Sequence, residues 1–380
     1  MDNFCDVAKS LETNLVKFGT IPEQKNVLGK PFPLVLVPVE GEKVNFIQLQ
    51  EYFQKNHENV RKASSLYGAV MFKGFDILSG EEWASVLFNT GIKEMPYVGG
   101  AAVRKLIVGH ESRIENLQVV TTNESPPSEP IPFHHELAQT PDPPSHILFY
   151  CQVNAAEGGS TPLIRSDLVY NYLQEKHADF IKKAEELGVK YIRTVPEVDD
   201  PTSAQGRSWK SMFHVNTREE AEAEMTKREF TWKWHDNGNC TVISKVLPVS
   251  KVSSNGNKTF FNQVVAAYTG WSDSRNEYGK SVVYGDDTPL PKDSVEDLVA
   301  FMDKEKCAYT WTPGQFVMVD NSVTYHSRQV FKGKRRAFAS IGNGTKDVSF
   351  NQTALTLTSG DKMPSVGFGC WKVSKEELPG

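Results

Sequence analysis

The chain has 380 residues, 39% hydrophobic and 23% charged, a balance that fits a globular protein and excludes a disordered or fibrous one. A formal net charge of -5 with no long basic run gives no footing for a nucleic-acid partner. No run approaches the ~18 apolar residues a membrane helix needs. The start, Met1-Asp2-Asn3-Phe4-Cys5-Asp6, has neither the basic nor the apolar part of a signal peptide, so a soluble, cytoplasmic protein is expected. Cys5, Cys151, Cys240, Cys307 and Cys370 are scattered, odd in number and without a CxxC pair, which argues against a disulfide framework or a zinc–thiolate site.

Residues 1–24 carry little pattern and read as an irregular lead-in. Residues 31–38 form a short apolar strand bounded by prolines. Phe46, Leu49, Tyr52 and Phe53 fall at helical spacing in a segment running to about Ala63, and 69–75 reads as a buried strand. Ser79 with Glu82 makes a capping-box pattern ahead of Trp83, Val86 and Leu87. Residues 97–104 are a glycine-rich loop without the GxGxxG order of a phosphate cradle; Tyr97 and Arg104 are its candidates to face a substrate. The polar, proline-rich stretch 121–130, which contains Asn123, feeds into His134 and is a candidate pocket lip. Residues 147–153 are a strongly apolar strand. Ser166 reads as the cap of a helix through Leu173, and 178–187 as a helix stopped at Gly188. Thr217 and Glu220 cap a charged helix, residues 230–242 read as a hairpin, and 259–267 return to the core. Residues 295–302 are helical, while 310–311, 316–319 and 337–341 are strands around His326. Many short strands interrupted by helices suit a double-sheet β-barrel with helices packed outside it.

The chemistry centres on Pro132-Phe133-His134-His135-Glu136-Leu137. In an extended backbone His134 and Glu136 point the same way and His135 points away. An imidazole and a carboxylate on one side are two of the three ligands of a 2-His-1-carboxylate iron(II) face; His326, in Asp320-Asn321-Ser322-Val323-Thr324-Tyr325-His326, is the candidate third. Arg336, ten positions beyond His326, offers a fork suited to the far carboxylate of a dicarboxylate such as 2-oxoglutarate. It has Arg335 as its neighbour, and strand alternation allows only one of the two to face in. Thr161, after Gly158-Gly159, could add a hydrogen bond to the same carboxylate.

This order of HxE, GG-x-T turn, Asp-Asn with a distal histidine, and then arginine resembles the taurine/2-oxoglutarate dioxygenase (TauD/TfdA) family. The likeness is to its clavaminate-synthase-like branch, over roughly residues 25–345. Further matching pieces are Pro96-Tyr97-Val98-Gly99-Gly100-Ala101-Ala102, Asn123-Glu124-Ser125-Pro126-Pro127, Gly206-Arg207-Ser208-Trp209-Lys210-Ser211, Val264-Val265-Ala266-Ala267-Tyr268-Thr269-Gly270-Trp271 and His326-Ser327-Arg328. The resemblance implies a jelly-roll (double-stranded β-helix) core within a mainly β, α+β chain. It implies Fe(II) on His134, Glu136 and His326, and 2-oxoglutarate on Arg336 and Thr161. Oxygen then oxidises a small-molecule substrate, usually by hydroxylation, with release of succinate and carbon dioxide. Tyr97, Arg104, Asn123 and Trp209 are the candidate substrate pocket. Many members have aspartate where Glu136 stands, and taurine-type members have a second arginine where Ser340 stands, so a sulfonate substrate is not expected. Iron halogenases of this architecture lack the carboxylate that Glu136 supplies. The competing readings are a catalytically silent binding protein on the same fold and the oxygenase half of a fusion.

The last segment, 346–380, stands apart. The alternation of 354–358, the Ser359-Gly360-Asp361 turn and the stretch to Val373 resemble the N-terminal hairpin and first strand of an aldo-keto reductase, without the rest of that barrel. A truncated bifunctional protein, a fusion relic and a gene-model error are the three explanations of such a tail, and it is expected to have no reductase activity.

Overall fold

A computed structural model describes residues 5–345 except 101, 103, 109–118, 123, 204 and 272, together with the backbone of 354–356 and 362–364. Two sheets build the core. The larger runs, in spatial order, Val16–Phe18, Leu34–Pro38, Ala69–Phe72, Phe316–Asp320, His146–Val153, Arg336–Thr345, Val119–Thr121 and Leu106–Val108, with Ile92–Glu94 also pairing Arg336–Thr345. The smaller has Leu163–Arg165, Thr324–Arg328 and Ile131–His134, the middle strand antiparallel to both neighbours. Together they form the jelly-roll core of a mainly β, α+β fold.

Alternation along the large sheet explains its two apolar faces. Leu148, Tyr150, Phe316, Met318 and Phe338 pack with Leu49, Phe53, Val60 and Tyr67 of the helix Phe46–Tyr67. That helix starts where Asn45 and Gln48 close a capping box. Ile147, Phe149, Cys151, Val317, Val319, Ala339 and Ile341 turn to the opposite face and pack with Leu163 of the small sheet. This inner layer also holds Cys307, and burial pushes the Cys151 thiol up to about 11 and the Cys307 thiol up to about 12. The described cysteines are unpaired.

Several elements depart from expectation. Residues before 25, read as irregular, contain the helix Asp6–Lys9 and the strand Val16–Phe18, which pairs with Leu34–Pro38 at the sheet edge. Residues 259–267 do return to the core, where Phe260, Val264 and Val265 are buried, and the helix Val264–Gly270 starts within them. Residues 310–311 lie outside the strands. Ser166 is the first residue of the helix Ser166–Lys176, not its cap, and its hydroxyl bonds to Nε2 of His135 at 2.8 Å. The strands Ala354–Thr356 and Lys362–Pro364 pair antiparallel; the rest of the tail, and the side chains of Leu355, Val366 and Phe368, lie outside the described residues. Among the described residues no helix is long and apolar enough to cross a membrane.

The contact between the large sheet and its helix layer is testable at Phe316. Its ring stacks on Phe72 with centroids 4.5 Å apart, and both are fully buried. Phe316→Ala is expected to lower unfolding free energy by ~3–5 kcal/mol, measured from chemical-denaturation midpoints; a shift below about 1 kcal/mol would show that this layer carries little of the stability.

Candidate metal centre

Backbone pairing brings the two distant histidines together. In the small sheet His326 stands directly opposite His134, and Leu163 opposes His326 from the other side. The imidazole centroids of His134 and His326 lie 4.2 Å apart. The strand Ile131–His134 ends at His134, and the chain bends at Leu137, which has a φ of 53° in the left-handed region.

Between them Glu136 is held by Asn321. The Glu136 N–H donates to Asn321 Oδ1 at 2.8 Å, and Asn321 Nδ2 donates to the Glu136 carbonyl at 3.0 Å and to the Pro144 carbonyl at 2.9 Å. His135 points the other way, as expected: Nδ1 bonds to the Asn321 carbonyl and Nε2 to Ser166, with Tyr325 and Phe261 against its ring. The residues flanking the ligands thus staple the HxE segment to the Asp320–His326 segment.

His134, Glu136 and His326 each offer a ligand atom, and these lie within 4.8 Å of one another. The donor set fits iron(II). His134 Nδ1 bonds to the Pro132 carbonyl at 2.8 Å, which fixes the ring and leaves Nε2 to face an ion. Burial, and behind it the neighbouring His326, push the His134 imidazole down to about 3, so at neutral pH it has a free lone pair. Burial also acts to raise the Glu136 carboxyl, but Arg104 foremost, then the His326 hydrogen bond and both imidazoles, outweigh it and hold it well below the usual carboxylate range. His326 Nε2 faces Glu136 Oε2 at 3.5 Å. Its outer nitrogen, Nδ1, is buried without a hydrogen-bond partner among the described residues, and Phe149 packs on its ring at 5.1 Å.

The three donors open into one cleft, lined by both polar and apolar side chains. Tyr97, Arg104 and Thr161 line it, as the sequence suggested. Arg336 does not. It is exposed, its guanidinium near the Phe338 ring at 5.3 Å, whereas Arg335 lines the cleft and donates from Nε to the Gly159 carbonyl at 3.0 Å and from Nη1 to Thr122 Oγ1 at 3.2 Å. The reason is parity. Arg336 shares the face of Phe338, which points to the helix layer, while Arg335 shares that of Ala339 and Ile341, which point between the sheets. Thr161 accepts from Trp311 Nε1 at 3.1 Å. Gly158 and Gly159 turn there with φ of 69° and 73°, and a Cβ on Gly158 would stand 2.2 Å from the Val330 carbonyl oxygen.

Two other expectations change. Trp209 is a core residue: it is 1% exposed, donates from Nε1 to the Gly238 carbonyl at 3.1 Å and packs edge-on to Trp234, away from the cleft. Asn123 lies outside the described residues. Sequence reasoning also passed over Arg328, which lines the cleft and donates to the Ser125 and Pro126 carbonyls. The signal for it was present, since it sits two residues beyond His326 on the same strand and therefore on the same face.

Comparison with known proteins gives the chain's family. The family model described as "Taurine catabolism dioxygenase TauD, TfdA family" matches residues 30–340. The chain belongs to this dioxygenase family. A clavaminate synthase-like protein of Arabidopsis thaliana is 38% identical over 326 residues, covering 84% of this chain and 96% of that protein. The dapdiamide synthesis protein DdaC of Enterobacter agglomerans is 22% identical over 298 residues, covering 76% of this chain and 85% of that one. A crystal structure of AAD-2 in complex with Mn(II) and N-oxalylglycine covers 88% of this chain and 100% of its own at 15% identity, with a TM-score of 0.48. The protein is an oxidoreductase of the iron(II)- and 2-oxoglutarate-dependent dioxygenase type, with O2 as the oxidant.

Asn321 is the brace this centre depends on. Asn321→Ala removes two hydrogen bonds to the Glu136 backbone and one to the Pro144 carbonyl and is expected to weaken Fe(II) binding by roughly 10–100-fold, read by anaerobic calorimetry. An unchanged affinity would mean the HxE segment holds its shape without the Asp-Asn segment.

Proposed function

We propose that this dioxygenase binds iron through His134, Glu136 and His326, holds 2-oxoglutarate against Arg335 and Thr161, and hydroxylates a small molecule seated beside Tyr97 and Arg104. The observation that carries the reading is the convergence of a 2-His-1-carboxylate set and the half-buried Arg335 in one cleft. Bound iron supplies oxygen activation coupled to decarboxylation of 2-oxoglutarate to succinate and carbon dioxide.

The chain's own groups have separable tasks. Arg335 presents a guanidinium from the inner face of its sheet, and the hydrogen bonds it makes are to neutral acceptors, Gly159 and Thr122. A dicarboxylate's far end therefore meets a cation that these bonds leave unneutralised. The Thr161 hydroxyl already accepts from Trp311, so its own proton is available to donate to the same carboxylate. Phe149 and the buried strand faces beside it keep bulk water from the histidine side of the cleft. The mixed polar and apolar lining supports a small-molecule substrate. We place the protein in the cytoplasm and read 346–380 as an appendage to a catalytic unit spanning about 25–345.

The adjacent arginines give an internal control. Arg335→Gln is expected to raise the KM for 2-oxoglutarate by at least roughly tenfold, about the ~1.5–3 kcal/mol of a charged hydrogen bond, while Arg336→Gln leaves it unchanged. Succinate production under varied 2-oxoglutarate measures both, and the reverse pattern would return the assignment to Arg336. Anaerobic addition of Fe(II) and 2-oxoglutarate should give a charge-transfer band that His326→Ala abolishes; retention of the band in that variant would remove His326 from the ligand set.

A further inference from the structure

Arg104 is held differently from other buried arginines of this chain. Arg165 makes two bonds to Asp167 and a third to the Leu66 carbonyl. Arg207 closes on the Gly100 carbonyl and on Ser211, and Arg275 joins Asp200 to Asp273. Each ties separate pieces of chain together with several donors. The Arg104 side chain is 8% exposed, and it donates from Nη2 to Glu136 Oε2 at 3.1 Å. Its Nε and Nη1 have no hydrogen-bond partner among the described residues, and its guanidinium rests over the Tyr97 ring at 4.1 Å. A guanidinium that serves the fold uses its fork of donors. Among the described residues its one ion pair is with Glu136, so that bond calls for an explanation of its own.

That acceptor is the carboxylate proposed as the iron ligand. Glutamate has one more rotatable bond than the aspartate that many family members carry. Its carboxylate can therefore turn to offer an ion one oxygen or both, because the terminal torsion of glutamate is broad. Counting coordination positions shows why this matters. A six-position ion with two imidazoles and one carboxylate oxygen keeps three positions open. A chelating 2-oxoglutarate fills two, and one is left for oxygen. A carboxylate bound through both oxygens takes that last position. Here Arg104 holds Oε2, the oxygen that His326 Nε2 also faces at 3.5 Å, and the stacked Tyr97 ring fixes the plane of the guanidinium.

We propose that Arg104 is a positioning residue that fixes the rotation of the Glu136 carboxylate, so that it ligates through one oxygen and the position for O2 stays open. The inference rests on the iron and 2-oxoglutarate reading above.

The test uses the full chain, loaded anaerobically with Fe(II) and 2-oxoglutarate, with nitric oxide as the probe of the remaining position. Nitric oxide binding is read from the electron paramagnetic resonance signal of the iron–nitrosyl. Arg104→Met is expected to bind Fe(II) no more weakly than wild type and to keep the charge-transfer band, yet to lose nitric oxide affinity by roughly tenfold or more, a loss of the size seen when a ligand's supporting partner is removed. Arg104→Lys, which restores one donor, is expected to recover part of the loss. Unchanged nitric oxide affinity in Arg104→Met overturns the proposal. So does a loss of Fe(II) binding together with the band, which would make the arginine a support of the site as a whole. A raised 2-oxoglutarate requirement also overturns it, by making Arg104 a co-substrate ligand. Absence of the band in wild type overturns the underlying metal reading and this inference with it, whereas a normal wild-type band isolates the outcome to Arg104.

Discussion

The antiparallel register that sets His326 against His134 is the constraint on which the site depends. The two residues are nearly 200 positions apart, and this pairing is what brings His326 to His134 and Glu136. The strand Thr324–Arg328 is paired on both edges, to Leu163–Arg165 and to Ile131–His134, so its register is set twice. Side-chain direction in a strand alternates, so a slip of one residue would offer Tyr325 or Ser327 in place of the imidazole. The residues between the ligands guard against that slip. Tyr325 is buried and bonded to the Phe260 carbonyl, His135 to Asn321 and Ser166, and Asn321 to Glu136. Most of these bonds lie on the faces turned away from the cleft, so the side that does no chemistry keeps the chemical side in place.

Charge is arranged with similar economy. Glu136 is a buried anion that Arg104 and the imidazoles keep ionised, and His134 is a buried base kept neutral. A charge taken from water without a partner is strongly unfavourable, so the arginine and carboxylate make each other tolerable in the interior. Arg335 and Arg328 bring two more cations to the same cleft, and burial acts to lower both.

The features legible in the sequence are those written in rare residue types at a fixed parity. His134 and Glu136 two apart, and His326 behind Asp320-Asn321, could be read before any coordinates. The helices at 46–67, 80–88, 178–187 and 218–227 announced themselves through caps and spacing. The choice between Arg335 and Arg336 was not legible. Two identical neighbours differ only in which face they take, and that depends on the pairing with 146–153, which shifts register between Cys151 and Val153. Trp209 shows the opposite problem: tryptophan suits a pocket wall and a core equally, and only contact with Trp234 and Gly238 decides it. The role of Asn321 was out of reach too, since a side-chain amide reaching a backbone nearly 200 residues away leaves no local trace.

The raised thiols of Cys151 and Cys307 have a meaning for an enzyme that handles ferrous iron and oxygen. Such a protein generates oxidants in its own interior, and the reactive form of cysteine is the thiolate. With burial holding these two side chains protonated far above neutral pH, almost none of the vulnerable species exists while the fold is intact. The same packing that builds the inner layer therefore passivates it. Sulfenic or higher oxidation at either position would then report that the barrel had opened, making these cysteines a record of structural failure and not a cause of it.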